Sequence, residues 1–567
     1  MGNSSPSFTA RNVFRHFVVL LGLVSIVSAA TNGLLKGRRQ RMHDVLRNVG
    51  SGGGSNLKAK PDAATRRPVT DVNGNLIPDY DVIYTFDQLI DHSNPRLGTF
   101  KQRYYHTWEY YRPGGPIVIM TPGEQAADGS EVHLTNRTMV GTIAQATNGA
   151  AIVLEHRFYG QSNPYPDMTV ESLQVHTIEQ AMDDLVYFAQ KCQTCDACYA
   201  GALTSWTLNQ RPGVFWAGYS SSGVIQPLLN FWQYFTPIQT HMPANCSADI
   251  QAAIEVIDSV LDSGDATTIE ELQTMFGFSG LKPSDFANAL TYVISDWQTL
   301  DVDSPRGSGF FEFCDALEVQ GGQVAPASGF GARSALEAWG RFYRTSYIPT
   351  LCEGFDANTC VTFDGITSSD TRPSDDRSWW WTVCSEVGWA QVGPPAGVNG
   401  IVSKHFTSDS YTAYCRDAFQ GAFSNSTAEY QARIDAASQK FLGWNTTAER
   451  LFVVNGNRDP WVEVTHSAAA ARIASTATQP IFLTDGFHCS DMLISNAVDQ
   501  SINQVFQSAI TTFPQWVAEF KPSDKPATTT TTTGQNSNRN SSLGRRDAIA
   551  SALGLALAGV VFTFIGL

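Results

Sequence analysis

The sequence predicts an α/β fold built on a mainly parallel sheet, with a mostly helical domain inserted into it. Three continuous apolar runs have the length and composition of buried strands, at 116–120, 150–154 and 451–454, and a shorter run at 481–483 continues the sheet. Between the second and third of these runs, residues 236–445 show helical patterns and few strand-like segments. With 567 residues, 43% of them hydrophobic, the chain can bury a large core.

The first part of the α/β domain is expected over residues 76–235. It opens with two strand-like segments, 84–92 and 99–105, which are separated by a proline-containing turn. The two apolar runs of this part lead into polar loops at 121–124 and 155–160. Loops that leave the carboxyl ends of parallel strands are where such sheets form their binding sites, so both loops are candidates.

The strand that should carry a nucleophile is missing or atypical. A capping box at 177–180 opens an amphipathic helix, and a second helix is predicted over 202–209. A buried strand is due between these helices, yet residues 191–198 are polar. Beyond the second helix, the sequence predicts a short strand at 214–217 and a further helix at 224–235.

Residues 446–522 are expected to complete the α/β domain, ending in an amphipathic helix over 494–513. Asp459 follows the first apolar run of this part, and His488 follows the second. Because the carboxyl ends of parallel neighbours lie at one edge of a sheet, these side chains are candidates for the acid and the base of a catalytic triad. Hydrolases of the α/β kind use the chain order nucleophile, acid, histidine, and this pair fits the last two places.

Several motifs resemble one peptidase family. Asp-Gln-Leu-Ile-Asp-His at 87–92, Thr-Phe-Lys-Gln-Arg-Tyr at 99–104 and Glu-His-Arg-Phe-Tyr-Gly at 155–160 are similar to segments of the prolyl-carboxypeptidase and dipeptidyl-peptidase-II-like serine peptidases. So are Asp-Pro-Trp at 459–461 and His-Cys-Ser-Asp at 488–491. The resemblance covers nearly the whole chain between its two terminal segments.

The resemblance implies an α/β-hydrolase fold with an inserted helical domain. It also implies a secreted or lysosomal serine-type exopeptidase that cleaves next to proline at acidic pH, without a metal or an organic cofactor. Asp459 and His488 match the acid and the base of that family's triad. The expected substrates are peptides that contain proline, and cleavage from the amino end or from the carboxyl end is left open.

The nucleophile position departs from the family pattern. Tyr199-Ala-Gly-Ala-Leu203 matches the end of the family motif and puts Cys198 where the serine is expected. Three accounts are open. In the first, Cys198 is the nucleophile, since thiolate–imidazole pairs catalyse acyl transfer. In the second, the protein is an inactive relative that binds peptides, and in the third the sequence is mis-spliced and has lost a strand. A rival nucleophile is Ser220, which lies in a strand–turn pattern typical of a nucleophile elbow and would suit an esterase.

Candidate substrate-binding residues come from the loops and from an aromatic segment of the helical domain. That segment, 379–389, is dense enough in tryptophan to line a cleft, with core packing as the alternative. The cysteines 192, 195 and 198 lack a matching cysteine or histidine pair, so no metal site is predicted. The substrate-binding candidates are Glu124, Tyr199, Trp381, Glu386, Trp389 and Trp461.

The two ends of the chain predict secretion. Residues 1–30 have the basic, apolar and small-residue parts of a signal peptide, and 31–75 are expected to be a flexible lead or propeptide. A Thr-rich stalk and spacer, 523–547, precedes an apolar tail, 548–567, that matches a glycosylphosphatidylinositol (GPI) anchor signal. The alternative for the tail is a transmembrane helix. We therefore expect an extracellular or cell-surface protein that meets the membrane only through its anchor.

Secretion also changes what the cysteines and asparagines predict. Most of the ten cysteines should form disulfides in an oxidising compartment. Sequons at Asn136, Asn245, Asn425 and Asn445 suggest N-glycosylation. The formal net charge of −15 argues against nucleic-acid binding. Association with a second copy of the chain, as a homodimer, is left open.

Overall fold

The computed structural model describes residues 68–191, 201–304, 309–352, 354–362, 369–424 and 426–521, together with the backbone of 559–564. An eight-stranded sheet lies at its centre. In spatial order its strands are β1 (Ile83–Leu89), β2 (Thr99–Thr107), β4 (Ala150–Leu154), β3 (Ile117–Met120), β12 (Gly559–Phe564), β5 (Ala217–Ser221), β10 (Leu451–Gly456) and β11 (Ile481–Thr484). The pairings β1–β2 and β2–β4 are antiparallel, and every pairing from β4 to β11 is parallel.

The central strands are buried because helices cover both faces of the sheet. Every residue of β3, β4 and β10 is buried, as expected for the continuous apolar runs that form them. Helices α1 (Met139–Ala146) and α15 (Gln500–Glu519) contribute to the apolar core on one face. Helices α2 (Ile178–Lys191) and α3 (Gly201–Gln210) contribute to the core on the other face.

The position between β3 and β5 is occupied by a segment from the far end of the chain. Strand β12 lies parallel to both neighbours, with Val560 opposite Val118 of β3 and opposite Ala217 of β5. In this strand order, the position between β3 and β5 is the one where the strand missing from the sequence before α3 would be expected. The polar segment 192–200, which includes Cys198 and Tyr199, lies outside the described residues.

Between β5 and β10 the chain is mostly helical. Its helices are α4 (Phe235–His241), α5 (Ala244–Ser263), α6 (Ala266–Phe276), α7 (Pro283–Ser295), α8 (Gly309–Glu318), α9 (Ala332–Phe342), α10 (Ile348–Cys352), α11 (Ala357–Val361), α12 (Asp375–Thr382), α13 (Ser408–Ala418) and α14 (Thr427–Lys440). Two small sheets pair β6 (Leu228–Asn230) with β9 (Gly388–Ala390), and β7 (Val319–Gln320) with β8 (Gln323–Val324). The predicted α/β-hydrolase fold with a helical insertion is confirmed.

The expectation of disulfides is also confirmed, because three of them brace the helical insertion. Cys246–Cys314, Cys352–Cys360 and Cys384–Cys415 are bonded. The first links α5 to α8 across 68 residues of sequence, and so ties two helices that are distant in the chain.

Three local predictions differ from the structure. The helix predicted at 224–235 is wrong: Pro227 cannot donate a helical hydrogen bond, and the segment instead forms β6 and a single 3₁₀ turn. The strand predicted at 214–217 begins only at Ala217 and runs on to Ser221. The terminal helix begins at Gln500, where the Asp499 side chain accepts from the backbone N–H groups of Ser501 and Ile502.

Within the described part of the chain, none of the helices combines the length and apolar character that crossing a lipid bilayer requires.

Candidate active site

The structure brings Asp459 and His488 together at the carboxyl edge of the sheet. Gly456 ends β10 and Thr484 ends β11, and these two residues are paired in the parallel ladder. The loops that follow therefore start side by side. Nδ1 of His488 lies 3.0 Å from Oδ1 and 2.9 Å from Oδ2 of Asp459, and both side chains are fully buried. This is the arrangement in which a carboxylate orients an imidazole.

Backbone contacts hold the two loops in this arrangement. The carboxylate of Asp459 also accepts from the backbone N–H of Trp461 at 2.9 Å. A Cβ atom at Gly456 would lie 2.2 Å from the carbonyl oxygen of Gly486, so only glycine lets the two loops approach this closely. The indole of Trp461 donates to Gln298 at 2.8 Å, which ties the acid loop to the helical insertion.

The electrostatics of the pair favour a charged imidazole. Burial lowers the pKa of His488, but the Asp459 carboxylate and the neighbouring Cys489 sulfur outweigh burial and hold that pKa well above its ordinary value. Nδ1 faces Asp459, so the proton on Nδ1 points at the carboxylate.

The histidine loop is fastened to the end of β5. The backbone N–H of Cys489 donates to Oγ of Ser222 at 3.0 Å, and both residues have positive φ angles, of 53° and 44°. Two residues further on, Asp491 accepts from the hydroxyl groups of Tyr219 and Ser221, each at 2.7 Å. Burial raises the pKa of Asp491 to about 6. These contacts position His488 over the carboxyl end of β5.

Ser220, the candidate nucleophile on β5, is engaged with α3. Its hydroxyl donates to the carbonyl oxygen of Gly201 at 2.9 Å and lies 3.3 Å from Oγ of Ser205. The residue is fully buried, and among the described residues it makes no hydrogen bond to His488. The other candidate, Cys198, belongs to the segment outside the described residues.

A pocket of about 580 Å³ lies beside this pair. Its walls are mainly aromatic and apolar, with Tyr159, Trp206, Trp379 and Trp389 as the large side chains. Glu124, which follows β3, lines the same pocket. The ring of Trp389 packs against that of Trp461 at 5.8 Å, and Trp461 in turn bonds to Asp459. Trp461 is therefore the residue that links the pocket wall to Asp459.

The predicted substrate-binding residues fall into two groups. Glu124 and Trp389 line the pocket, and the ring of Trp461 packs against that of Trp389. Trp381 is a packing residue, whose indole donates to the carbonyl oxygen of His176 at 3.1 Å and whose ring contacts two phenylalanines of the insertion. Glu386 accepts from the first backbone N–H of α2 at 2.9 Å, and burial raises its pKa to about 7.

Two histidines of the pocket were not among the predicted site residues. His156 lies two residues after the end of β4, and His176 lies two residues before α2. The available signal for His156 was its place in a loop at the carboxyl end of a buried strand; nothing in the local sequence marked His176. Burial lowers the pKa of His156 to about 4 and lowers that of His176 well below its ordinary value, so both imidazoles are neutral.

Buried ion pairs hold the loop after β4 in place. The guanidinium of Arg157 binds Asp184 of α2, with Nε 2.6 Å from Oδ2, and also donates to backbone carbonyl groups. Arg103 of β2 pairs with the buried carboxylate of Glu155. Polar motif residues that resemble catalytic groups in the sequence thus serve to position the pocket wall.

The model of the family described as serine carboxypeptidase S28 matches residues 88–508. The serine protease vicPa of Bipolaris victoriae is 31% identical over 476 residues, covering 77% of this chain and 88% of that protein. A probable extracellular serine carboxypeptidase of Arthroderma benhamiae is 28% identical over 426 residues, covering 68% of this chain and 58% of that protein.

Proposed function

The chain belongs to the serine carboxypeptidase S28 family, and from this membership we propose that it is a secreted exopeptidase that hydrolyses peptide bonds next to proline. The observation that carries the proposal is the buried pair of His488 and Asp459, with 2.9 Å between Nδ1 and the nearer carboxylate oxygen. The aromatic pocket beside that pair supports an apolar substrate residue such as proline.

In this proposal the reaction proceeds through an acyl-enzyme. The nucleophile attacks the carbonyl carbon of the scissile bond, and Nε2 of His488 passes a proton to the leaving amine. Water then attacks the acyl group, with His488 taking its proton, and the acid product leaves. Asp459 keeps the imidazole in one orientation and stabilises its cationic form throughout.

We assign the nucleophile to Cys198. Its place in the family motif is the first reason. The second is the raised pKa of His488: an imidazole that is already protonated suits an imidazolium–thiolate pair, whereas a serine would need the neutral base. Ser220 is the less favoured nucleophile, because its hydroxyl is already bonded to Gly201 and faces Ser205.

A second candidate function is peptide binding without turnover. Its support is the strand order of the sheet. In that order β12, from the apolar tail, lies where a nucleophile-bearing strand would be expected. A chain with the acid, the histidine and the pocket, but without a correctly placed nucleophile, would bind peptides and leave them intact.

The deciding experiment is turnover of a proline-containing chromogenic peptide at acidic pH by the full chain secreted from a eukaryotic host. We expect measurable hydrolysis that is lost in His488→Ala and reduced in Asp459→Asn. Cys198→Ala and Ser220→Ala assign the nucleophile, since only one of them should abolish turnover. His405→Ala is the matched control, because its imidazole pairs with Asp262 on the protein surface at 3.1 Å, away from the pocket.

We also propose the secretory route and the anchor that the two ends predict. Asn136 and Asn445 are exposed, as acceptors of N-glycans must be. GPI attachment removes the apolar tail, and with it β12, so the anchor and this strand exclude each other in the mature protein. Mass spectrometry of the C-terminal peptide of the secreted protein decides between them, and light scattering tests for a homodimer.

A further inference from the structure

We propose that Gln298 and Asp301, two residues of the helical insertion, are positioning residues for the buried pair of Asp459 and His488. Both belong to the bridging segment, residues 297–301, which follows α7. The inference rests on the proposed peptidase function. It gives the insertion a part in the chemistry, because the insertion then holds the acid and the base of the pair at their working distance.

The bridging segment binds the acid loop through two side chains. The indole Nε1 of Trp297 donates to the carbonyl oxygen of Arg458 at 2.8 Å. Oε1 of Gln298 accepts from the indole of Trp461 at 2.8 Å. Trp461 in turn donates its backbone N–H to the carboxylate of Asp459. The insertion therefore contacts the acid loop on both sides of Asp459.

Asp301 binds the histidine loop in the same way. Its Oδ1 accepts from Oγ of Ser490 at 3.1 Å and from the side-chain amide of Asn496 at 2.8 Å. Oγ of Ser490 also accepts from the backbone N–H of Phe487 at 3.0 Å. The carboxylate therefore holds, through one hydroxyl group, the residues on both sides of His488.

The contacts of the bridging segment are shielded from solvent. Gln298, Trp461 and Asn496 are buried. The buried rings of Trp297 and Phe487 pack with their centroids 5.1 Å apart. Because buried polar groups need partners, neither loop can shift against the bridging segment without leaving donors unsatisfied. Two loops that are fixed to one segment are also fixed relative to each other.

This arrangement bears on turnover more than on substrate binding. Neither Gln298 nor Asp301 is among the described residues that line the aromatic pocket. A catalytic group that is misplaced by about 1 Å can lose about 100-fold in rate. Loosening the bridging segment should therefore lower kcat and leave KM nearly unchanged.

The first test is steady-state hydrolysis of a proline-containing chromogenic peptide by the full chain. Gln298→Met and Asp301→Leu remove the acceptor oxygens and keep side chains of similar size. We expect kcat to fall at least about tenfold in each, with KM changed by less than about twofold. Asp301→Asn keeps one oxygen that can accept from Ser490 and Asn496, and should retain most of kcat.

A matched control separates positioning from a general loss of stability. The hydroxyl of Tyr343 donates to the carbonyl oxygen of Ala289 on α7 at 2.9 Å, inside the insertion. Tyr343→Phe removes that hydrogen bond and leaves the contacts of the bridging segment with the two loops in place. It should lower Tm and leave kcat unchanged.

A second measurement does not need turnover. The imidazole NMR signals of the histidine-labelled chain give the pKa of His488, once its signal is assigned from the loss in His488→Gln. Burial lowers this pKa, but the Asp459 carboxylate and the neighbouring Cys489 sulfur outweigh burial. Gln298→Met should therefore lower the pKa of His488 toward its ordinary value, and Tyr343→Phe should leave it where it is.

An unchanged kcat in both Gln298→Met and Asp301→Leu would overturn the inference, and so would an equal loss of kcat in Tyr343→Phe. An unshifted pKa of His488 in Gln298→Met would overturn it as well, even for an active enzyme. If Gln298→Met does not fold, the comparison of Asp301→Leu with Asp301→Asn carries both measurements. If the unaltered protein shows no turnover, the proposed function fails, and the pKa of His488 still decides whether the bridging segment positions the pair.

Discussion

Replacing Asp459 by asparagine should change how the stability of the protein depends on pH. The substitution keeps the shape of the side chain and removes the charge that faces the buried imidazole of His488 at 2.9 Å. Two unit charges about 4 Å apart interact by about 4 kcal/mol at an effective dielectric constant of about 20. That energy corresponds to about three pKa units. Without the carboxylate, burial dominates, and the pKa of His488 should fall from above 6.5 to below it.

The sign of the effect follows from linkage. In the unaltered protein the folded-state pKa of His488 is above the ordinary 6.5, so its stabilisation is present below pH 6.5 and is lost as pH rises through the folded pKa. In Asp459→Asn the folded-state pKa of His488 should lie below the ordinary 6.5, so stability is lost as pH falls through 6.5. The difference in the free energy of unfolding between the two proteins should therefore grow by up to about 4 kcal/mol between about pH 9 and about pH 5.

Urea unfolding at a series of pH values measures this difference, and a control on the surface isolates its cause. The surface pair of His405 and Asp262 is the matched control, because solvent screens it and Asp262→Asn should give a much smaller pH dependence. A difference between the unaltered protein and Asp459→Asn that stays flat from acid to alkaline pH would refute the reasoning.

Three further predictions concern stability and are checked by urea or thermal unfolding. Arg157→Met removes the guanidinium from the buried carboxylate of Asp184, which keeps His92 as a partner, and should cost about 3–5 kcal/mol. A second change, Asp184→Leu, should restore most of that loss, and a double variant as unstable as the single one contradicts this. If the mature protein keeps its tail, deleting 548–567 removes β12, which joins the two halves of the sheet, and should lower Tm. An unchanged Tm would mean that the tail is no part of the folded sheet, as the proposed anchor requires. Replacing Cys246 and Cys314 by alanine opens a loop of 68 residues and should cost about 4 kcal/mol, while an unchanged urea midpoint would contradict that estimate.

The parts of the fold that depend on short segments could be predicted from the sequence. The runs that form β3, β4 and β10 are apolar along their length, and a strand buried on both faces requires that pattern. The places of Asp459 and His488 after neighbouring strands were visible for the same reason. The helix predicted at 224–235 was wrong because its apolar residues belong to a loop and an edge strand, whose partner, β9, lies about 160 residues away in the chain.

The pocket could be predicted only in part. Glu124 and Trp389 were candidates because one follows a strand and the other belongs to a dense aromatic segment. Trp381 belongs to the same segment, yet it packs into the insertion, since it lies on α12 two positions from the pocket residue Trp379 and so faces a different side of that helix. His176 reaches the pocket from the turn before α2 and Trp206 reaches it from α3, and no local pattern distinguishes them from ordinary core residues.

By itself, the sequence determined the class of fold, the insertion, the strand-end positions of the acid and the histidine, and the absence of an apolar strand before α3. Each of these is encoded in consecutive residues, where hydrophobic period and turn residues act locally. Only the tertiary structure decided the hydrogen bonds of Ser220 with α3, the pairing of β12 beside β3, and the set of aromatic residues that line the pocket. These features arise where segments distant in the chain meet, and the burial and charge that define them exist only after the chain has folded.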